Sequence, residues 1–165
     1  MRVLIRDLRI DALEEAGYVS LRCSWSPSCP AELRPLDHDA VLWGSGVHVR
    51  ETEDAIAQAW PDLFSGVEIP RTFGSPCCAQ FAVTRKAMMR NSKEDYTRLR
   101  QWLLDTKLSD EVSERVLEKL WAYLMTGEPV HCPAPRLCAC KYFGSCGGVQ
   151  IWPQPPTALG PLPTE

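Results

Sequence analysis

The 165-residue sequence predicts one α/β domain closed by a cysteine-rich C-terminal segment. Three observations predict it. Short apolar alternations in "YVSLRC" (Tyr18–Cys23) and "AQFAVTR" (Ala79–Arg85) have the period of strands. Two stretches, from Ser92 to Thr106 and from Ser109 to Gly127, have the period of amphipathic helices. Beyond Gly127 the periodicity stops and four cysteines follow within fifteen residues, Cys132, Cys138, Cys140 and Cys146. The domain is expected over residues 1–148, with 127–148 as the cysteine-rich part, and the proline-rich stretch 149–165 as a disordered tail.

Taken in order, "RDLRIDALEEAG" reads as a short helix with Leu8, Ile10 and Leu13 on its apolar side and Gly17 ending it. The strand Tyr18–Cys23 follows, and "SWSPSCP" is turn chemistry. Residues 30–50 carry little pattern, and within them "AVLWGSGVHV" reads either as a strand broken at Gly44 and Gly46 or as a mobile loop. Thr52 is placed to cap a helix from Glu53 to Trp60 that Pro61 closes. "SGVEIPRTFGSP" reads as irregular loop, and Phe81 and Val83 share one face of the next strand. Ser92 and Asp95 resemble a capping box, with Tyr96, Leu99, Trp102 and Leu103 on one helical face. In the longest helix Ser109 is the cap, Asp110 and Glu111 suit the positive end of the dipole, and Gly127 is the stop. Val112, Val116, Leu120 and Leu124, with Leu117 and Trp121, form its buried stripe.

Composition narrows the function. Eighteen basic against twenty-one acidic residues leave a net charge of −3, without the field of a nucleic-acid binder. No apolar run approaches the roughly 20 residues of a membrane span, and the opening "MRVLIRDLRIDALEE" lacks the apolar core of a signal peptide. Yet eight cysteines is a high count for a reducing compartment. Either a targeting segment lies upstream in a longer protein, or the cysteines stay as thiols or bind metal.

Cys23 and Cys29, Cys132 and Cys138, and Cys140 and Cys146 each have five residues between them, so three local disulfides are feasible. That scheme strands Cys77 and Cys78, which as neighbours in a strand point to opposite faces. A scheme in which one or both cross to the C-terminal cluster is preferred, because long-loop crosslinks restrict the unfolded chain most. Eight cysteines allow 105 connectivities, and the sequence selects none. Zinc on Cys132, Cys138, Cys140 and Cys146, with His131 as substitute, is the rival, although ligand pairs usually stand two to four residues apart. Free buried thiols are the third option, and a nucleophilic Cys77 or Cys78 a remote fourth.

Asp37-His38-Asp39 is an Asp-x-Asp that could hold a divalent metal and a diphosphate, against the plainer reading of a solvated loop. Glu114 and Glu118 lie on one side of the longest helix, where paired acids can do acid–base work. Their neighbours Arg115 and Lys119 equally suit an exposed ion-paired face. His38, His48 and His131 share no spacing.

The segments "GYVSLRCSWSPSCP", "CCAQFAVTR", "YTRLRQWLLDTKLSDEVSERVLEKLW" and "CPAPRLCACKYFGSC", between Gly17 and Cys146, resemble the mainly fungal family called domain of unknown function 3431. The resemblance implies a secreted or lumenal, disulfide-bearing protein, and Cys77 and Cys78 as anchors of two crosslinks. It implies a partial glycosyltransferase-A-like sandwich of a small mixed sheet and helices, similar to the acceptor half of nucleotide-sugar enzymes. Glu118 would then be the base that deprotonates the acceptor, with Gln80 and Arg85 lining its side. A nucleotide sugar would be the donor, Mn²⁺ or Mg²⁺ the metal, with Asp37 and Asp39 as its ligands. Relatives are longer at the N-terminus and read Ser-Gly-Arg and Trp-His where this chain has Ser113-Glu114-Arg115 and Trp121-Ala122. The expectation is therefore a truncated or inactive copy, with a non-catalytic disulfide-stabilised module as the alternative.

Overall fold

A computed structural model describes residues 5–25, 29, 33–37 and 46–147. Helix α1 (Ile10–Ala16) ends where Gly17, at φ +78°, donates its N–H to the Leu13 carbonyl at 2.8 Å. The left-handed turn suits a residue without a Cβ. Leu13 and Ala12 face inward, while Ile10 is exposed, so the inner side of α1 is narrower than the expected apolar face.

The reversal at Gly17 feeds β1 (Tyr18–Ser20), which pairs antiparallel with β2 (Phe81–Val83), Tyr18 opposite Val83 and Ser20 opposite Phe81. All three β1 residues are buried. Both strands are shorter than their alternation predicts, and the pair is antiparallel rather than mixed. In-register bonds reach one residue beyond the strands at each end, the Leu21 N–H donating to the Gln80 carbonyl at 2.9 Å and the Thr84 N–H to the Gly17 carbonyl at 2.8 Å, after which Thr84 caps a helix. Two isolated bridges extend the connectivity: Leu33 antiparallel to Phe73, and Gly74 parallel to Val130.

Helix α2 (Gly46–Leu63) begins earlier and ends later than the sequence suggests. Thr52 is buried inside it rather than capping it. Pro61 lies within its last turn, where a missing N–H removes one bond. Burial of Trp60 and Leu63 on either side holds the turn, and the Phe64 amide still reaches the Trp60 carbonyl at 2.8 Å. Residues 30–32 and 38–45, about half of the segment 30–50, lie outside the described residues, as does the stretch from 148 on.

Thr84 caps the short α3 (Arg85–Met88), its hydroxyl accepting from Ala87. Helix α4 (Lys93–Asp105) opens on the expected capping box, Ser92 and Asp95 each accepting from the other's backbone amide. Helix α5 (Asp110–Thr126) is capped by Ser109 and stopped by Gly127 in the left-handed region. Its predicted stripe is the centre of the core: Val116 and Leu120 are fully buried, and Leu124 nearly so. Helix α2 packs on α4 and α5, and α5 also backs β1 and α3. Trp60 gathers Phe64, Phe73 and Tyr123 around it, with centroids 4.3–5.5 Å away, and its indole donates to the Val67 carbonyl at 2.8 Å. An indole buried with its N–H satisfied is the stable form of that residue in a core.

The cysteine-rich segment departs most from expectation. It contains a helix, α6 (Pro135–Phe143), with Pro135 at its first position and Gly144 as its left-handed stop. Helix α6 packs on α1, and the Arg9 amide bonds the Tyr142 carbonyl at 2.8 Å. Cys23 is bonded to Cys138, Cys29 to Cys132, Cys140 to Cys146, and Cys77 to Cys78. The expected anchors of the C-terminal segment were Cys77 and Cys78; the anchors are Cys23 and Cys29, and the adjacent pair closes on itself. Cys78 at φ +76° is outside the strand that would have splayed the two side chains apart. Of the three local pairs that the spacing suggested, Cys140–Cys146 alone forms.

Candidate functional site

Helix α5 presents two faces. One is the core stripe; the other carries Asp110, Ser113, Glu114, Leu117, Glu118 and Trp121 along the wall of a cleft of about 570 Å³. Ala79, just before β2, and Leu103 of α4 complete it. Leu103, expected on the packed face of α4, is instead 40% exposed. The acids at 110, 114 and 118 are one turn apart, so successive carboxylates rise by about 6 Å along the helix.

The local pairing explains which acids face the cleft. Arg115 bonds Glu111 at 3.0 Å, one turn back, and so takes up the acid on its own face. Glu118 has the Lys119 ammonium at 3.5 Å, enough to hold a positive charge beside the carboxylate. Ser113 is buried, and its hydroxyl donates back to the carbonyls of Ser109 and Asp110, so it serves the helix and not the hollow. Trp121 reaches Phe81 of β2, ring centroids 5.9 Å apart, which fixes the indole between sheet and cleft. The arrangement offers a row of hydrogen-bond acceptors beside an aromatic face, in a hollow of ordinary ligand size.

Of the predicted acceptor-side residues, Glu118 lines the cleft and Gln80 and Arg85 do not. The Gln80 carbonyl accepts from Leu21 at 2.9 Å, and Arg85 is exposed at the start of α3. Asp37 borders a separate hollow of about 420 Å³ with Arg34, Leu36, Arg71 and Thr72, and lies 4.0 Å from the Arg34 guanidinium. His38 and Asp39 lie outside the described residues. Among the described residues no group of three or more His, Cys, Asp or Glu side chains could hold a metal ion. Two guanidinium-bearing neighbours also suit Asp37 poorly to a divalent cation. The zinc alternative ends with the four cluster cysteines in disulfides.

Elsewhere, burial pushes the Tyr18 phenol well above its usual range, and its ring packs edge-on to His131. His131 in turn meets Glu128 at 3.0 Å. Asp110, expected as a first-turn acid, and Leu117 and Trp121, expected in the buried stripe, are cleft residues as well, the latter two only partly buried. The four-residue spacing from Asp110 through Glu114 to Glu118 was the signal that could have found the row.

Fold and cleft define a small mixed α/β domain, stapled by disulfides, with an acidic cleft along its longest helix. The chain belongs to the family described as Protein of unknown function (DUF3431), which matches residues 1–141. The match thus begins before Gly17, where the resemblance began, and stops short of Cys146. No curated protein and no solved structure matches the chain. Among the described residues no helix is long and apolar enough to cross a membrane.

Proposed function

We propose that the chain is a glycosyltransferase-like domain of the secretory lumen or extracellular space that binds a hydroxyl-bearing acceptor in the α5 cleft. The observation that carries this reading is Glu118 beside Trp121 on one cleft wall, with Glu114 and Asp110 continuing it. Sugar rings pair an apolar face with hydroxyl donors, so an indole with a row of carboxylates matches both. In the reaction this implies, Glu118 takes the acceptor hydroxyl's proton as that oxygen bonds the anomeric carbon and the nucleoside diphosphate leaves. A divalent ion would neutralise the diphosphate. Among the described residues no group of three or more His, Cys, Asp or Glu side chains is fit to hold it. The partial glycosyltransferase-A-like sandwich belongs to the same proposal, as does the oxidising compartment, which the four disulfides support.

Titrating the protein with nucleoside diphosphates plus Mn²⁺, and with neutral oligosaccharides, tests it. Oligosaccharide binding that weakens in Glu118→Gln supports the reading. No heat and no thermal shift at millimolar ligand of either kind refutes it.

The second reading is a non-catalytic, disulfide-stabilised module with a protein partner. It is favoured by the described sheet being a single pair of three-residue strands, too small to frame a nucleotide crevice. Capture of a partner whose affinity is unchanged by Glu118→Gln would select it.

A further inference from the structure

Three of the four disulfides have an evident architectural use. Cys23–Cys138 and Cys29–Cys132 join parts of the chain more than a hundred residues apart, and Cys140–Cys146 wraps the end of α6. Cys29 and Cys138 are also buried, out of reach of a reductant. Cys77–Cys78 differs from the two long-range bridges on both counts, and from Cys140–Cys146 in closing no loop. It joins neighbours whose Cα atoms are already 3.7 Å apart, so it restricts no loop. Both residues are only half-buried. Cys78 has φ +76°, the one positive φ of a non-glycine among the described residues. The Arg22 Nη1 stands 3.2 Å from the Cys78 Sγ.

That last contact has a chemical direction. In thiol–disulfide exchange the sulfur that leaves must take up negative charge, and it leaves faster the lower its thiol pKa. A guanidinium at hydrogen-bond distance stabilises that thiolate, so the bond is polarised toward Cys78 as the leaving sulfur. From the adjacency, the accessibility and the Arg22 contact, we infer that Cys77–Cys78 is a thiol-exchange site whose substrate is a dithiol reductant, with Arg22 as the residue that stabilises the leaving thiolate.

The steps balance. A thiolate of the dithiol attacks the Cys77 Sγ; the Cys77–Cys78 bond breaks, and its electron pair stays on Cys78 beside Arg22. The dithiol's second sulfur, deprotonated, attacks its own sulfur in the mixed disulfide and releases the Cys77 thiolate. The protein gains two electrons and, on protonation, two protons; the dithiol becomes a disulfide. Ala79, the next residue, lines the α5 cleft, so the peptide released by reduction is continuous with the cleft wall. The inference does not depend on the proposed function, since its readout is the sulfur chemistry.

The test is graded reduction of the full folded chain with dithiothreitol at neutral pH, quenching with an alkylating reagent and peptide mass mapping. Cys77 and Cys78 should label while Cys23, Cys29, Cys132 and Cys138 stay protected. Arg22→Met should slow that labelling on the order of three- to tenfold, and Arg22→Lys should restore most of the rate. Arg22 is exposed, so neither change threatens folding, and Cys140–Cys146 serves as the internal control whose rate Arg22 leaves alone. With a monothiol in place of the dithiol, the mixed disulfide should sit on Cys77 and the free thiol on Cys78. Labelling of Cys77 and Cys78 no sooner than the buried pairs, equal rates with and without Arg22, or a mixed disulfide on Cys78 would each overturn the assignment.

Discussion

Cys29–Cys132 lies inside Cys23–Cys138, and this nesting makes a quantitative claim about what each bridge contributes. Taken alone, a crosslink spanning 115 or 103 residues removes enough unfolded-chain entropy to stabilise the fold by about 5 kcal/mol. The two are not independent. With either one closed, the other closes only the ring made of segments 23–29 and 132–138, about 14 residues, worth about 3 kcal/mol. Removing one bridge should therefore cost about 3 kcal/mol, and removing both about 8 kcal/mol, so the double-mutant cycle should show about 2 kcal/mol of coupling. Cys29→Ala/Cys132→Ala, Cys23→Ala/Cys138→Ala and the fourfold variant make the cycle; alanine avoids burying a hydroxyl at positions 29 and 138. In urea, each paired variant should lose roughly 1–2 M of midpoint, and the fourfold variant should be unfolded or nearly so without denaturant. Paired variants that each lose about 5 kcal/mol and simply add, or that lose under about 1 kcal/mol, would refute the nested-loop reasoning.

Two further outcomes can be checked on the same material. Gly127 stops α5 at φ +79°, and Gly127→Ala should cost about 1–2 kcal/mol, lowering Tm by a few degrees. Gly66→Ala, at φ +77° in open space, should cost about the same, because the Arg90 guanidinium tip beside Gly127 can swing aside; an unchanged Tm in both would contradict the conformational argument. The Ser92 amide, then its hydroxyl and the Arg98 guanidinium hold the Asp95 carboxyl below the usual carboxylate range. A depressed folded pKa stabilises above the unfolded pKa and is lost as pH falls through the folded one. Asp95→Asn should thus be less stable than the parent at pH 7, with the gap closing as urea melts are moved below pH 4 toward pH 2. A gap that persists at the acid end would contradict it.

How much of this was legible in the sequence depended on whether the signal was local. Caps are local, so Ser92 with Asp95, Ser109, Gly17 and Gly127 were all readable, and so was the α5 stripe through Val116 and Leu120. Pro135 and Gly144 bracket α6 with equally local signals. They were hidden because α6 is amphipathic in an unusual way, with Cys138 and Ala139 inward and Leu137 exposed, so the apolar periodicity is poor. Disulfide partners are a tertiary fact: Cys23 meets Cys138 of α6, and Cys29 meets Cys132 just before it, across more than a hundred residues of chain. In the site, Glu118 was found by resemblance, whereas the contact of Arg22 with Cys78, 56 residues on, had no sequence signature at all.

The division of α5 into two faces also decides how the cleft can be probed. Val116 and Leu120 carry the helix's packing, while Glu114 and Glu118 meet the hollow and Arg115 is taken up by Glu111. A change of cleft acid to amide keeps the side-chain volume and removes the charge, at Glu118 together with the ion pair to Lys119, so a melt run beside each binding measurement separates ligand contact from stability. Ser113 does not allow that separation, since its hydroxyl is bonded into the first turn of the helix and its site is buried. The opposite wall is different in kind. Ala79 lies between the Cys77–Cys78 ring and Gln80, whose carbonyl accepts from Leu21. On the inference above, reduction of Cys77–Cys78 acts one residue from the cleft, whereas the α5 side is held by core packing. A ligand that touches both should bind differently before and after mild reduction, and one that touches α5 alone should not.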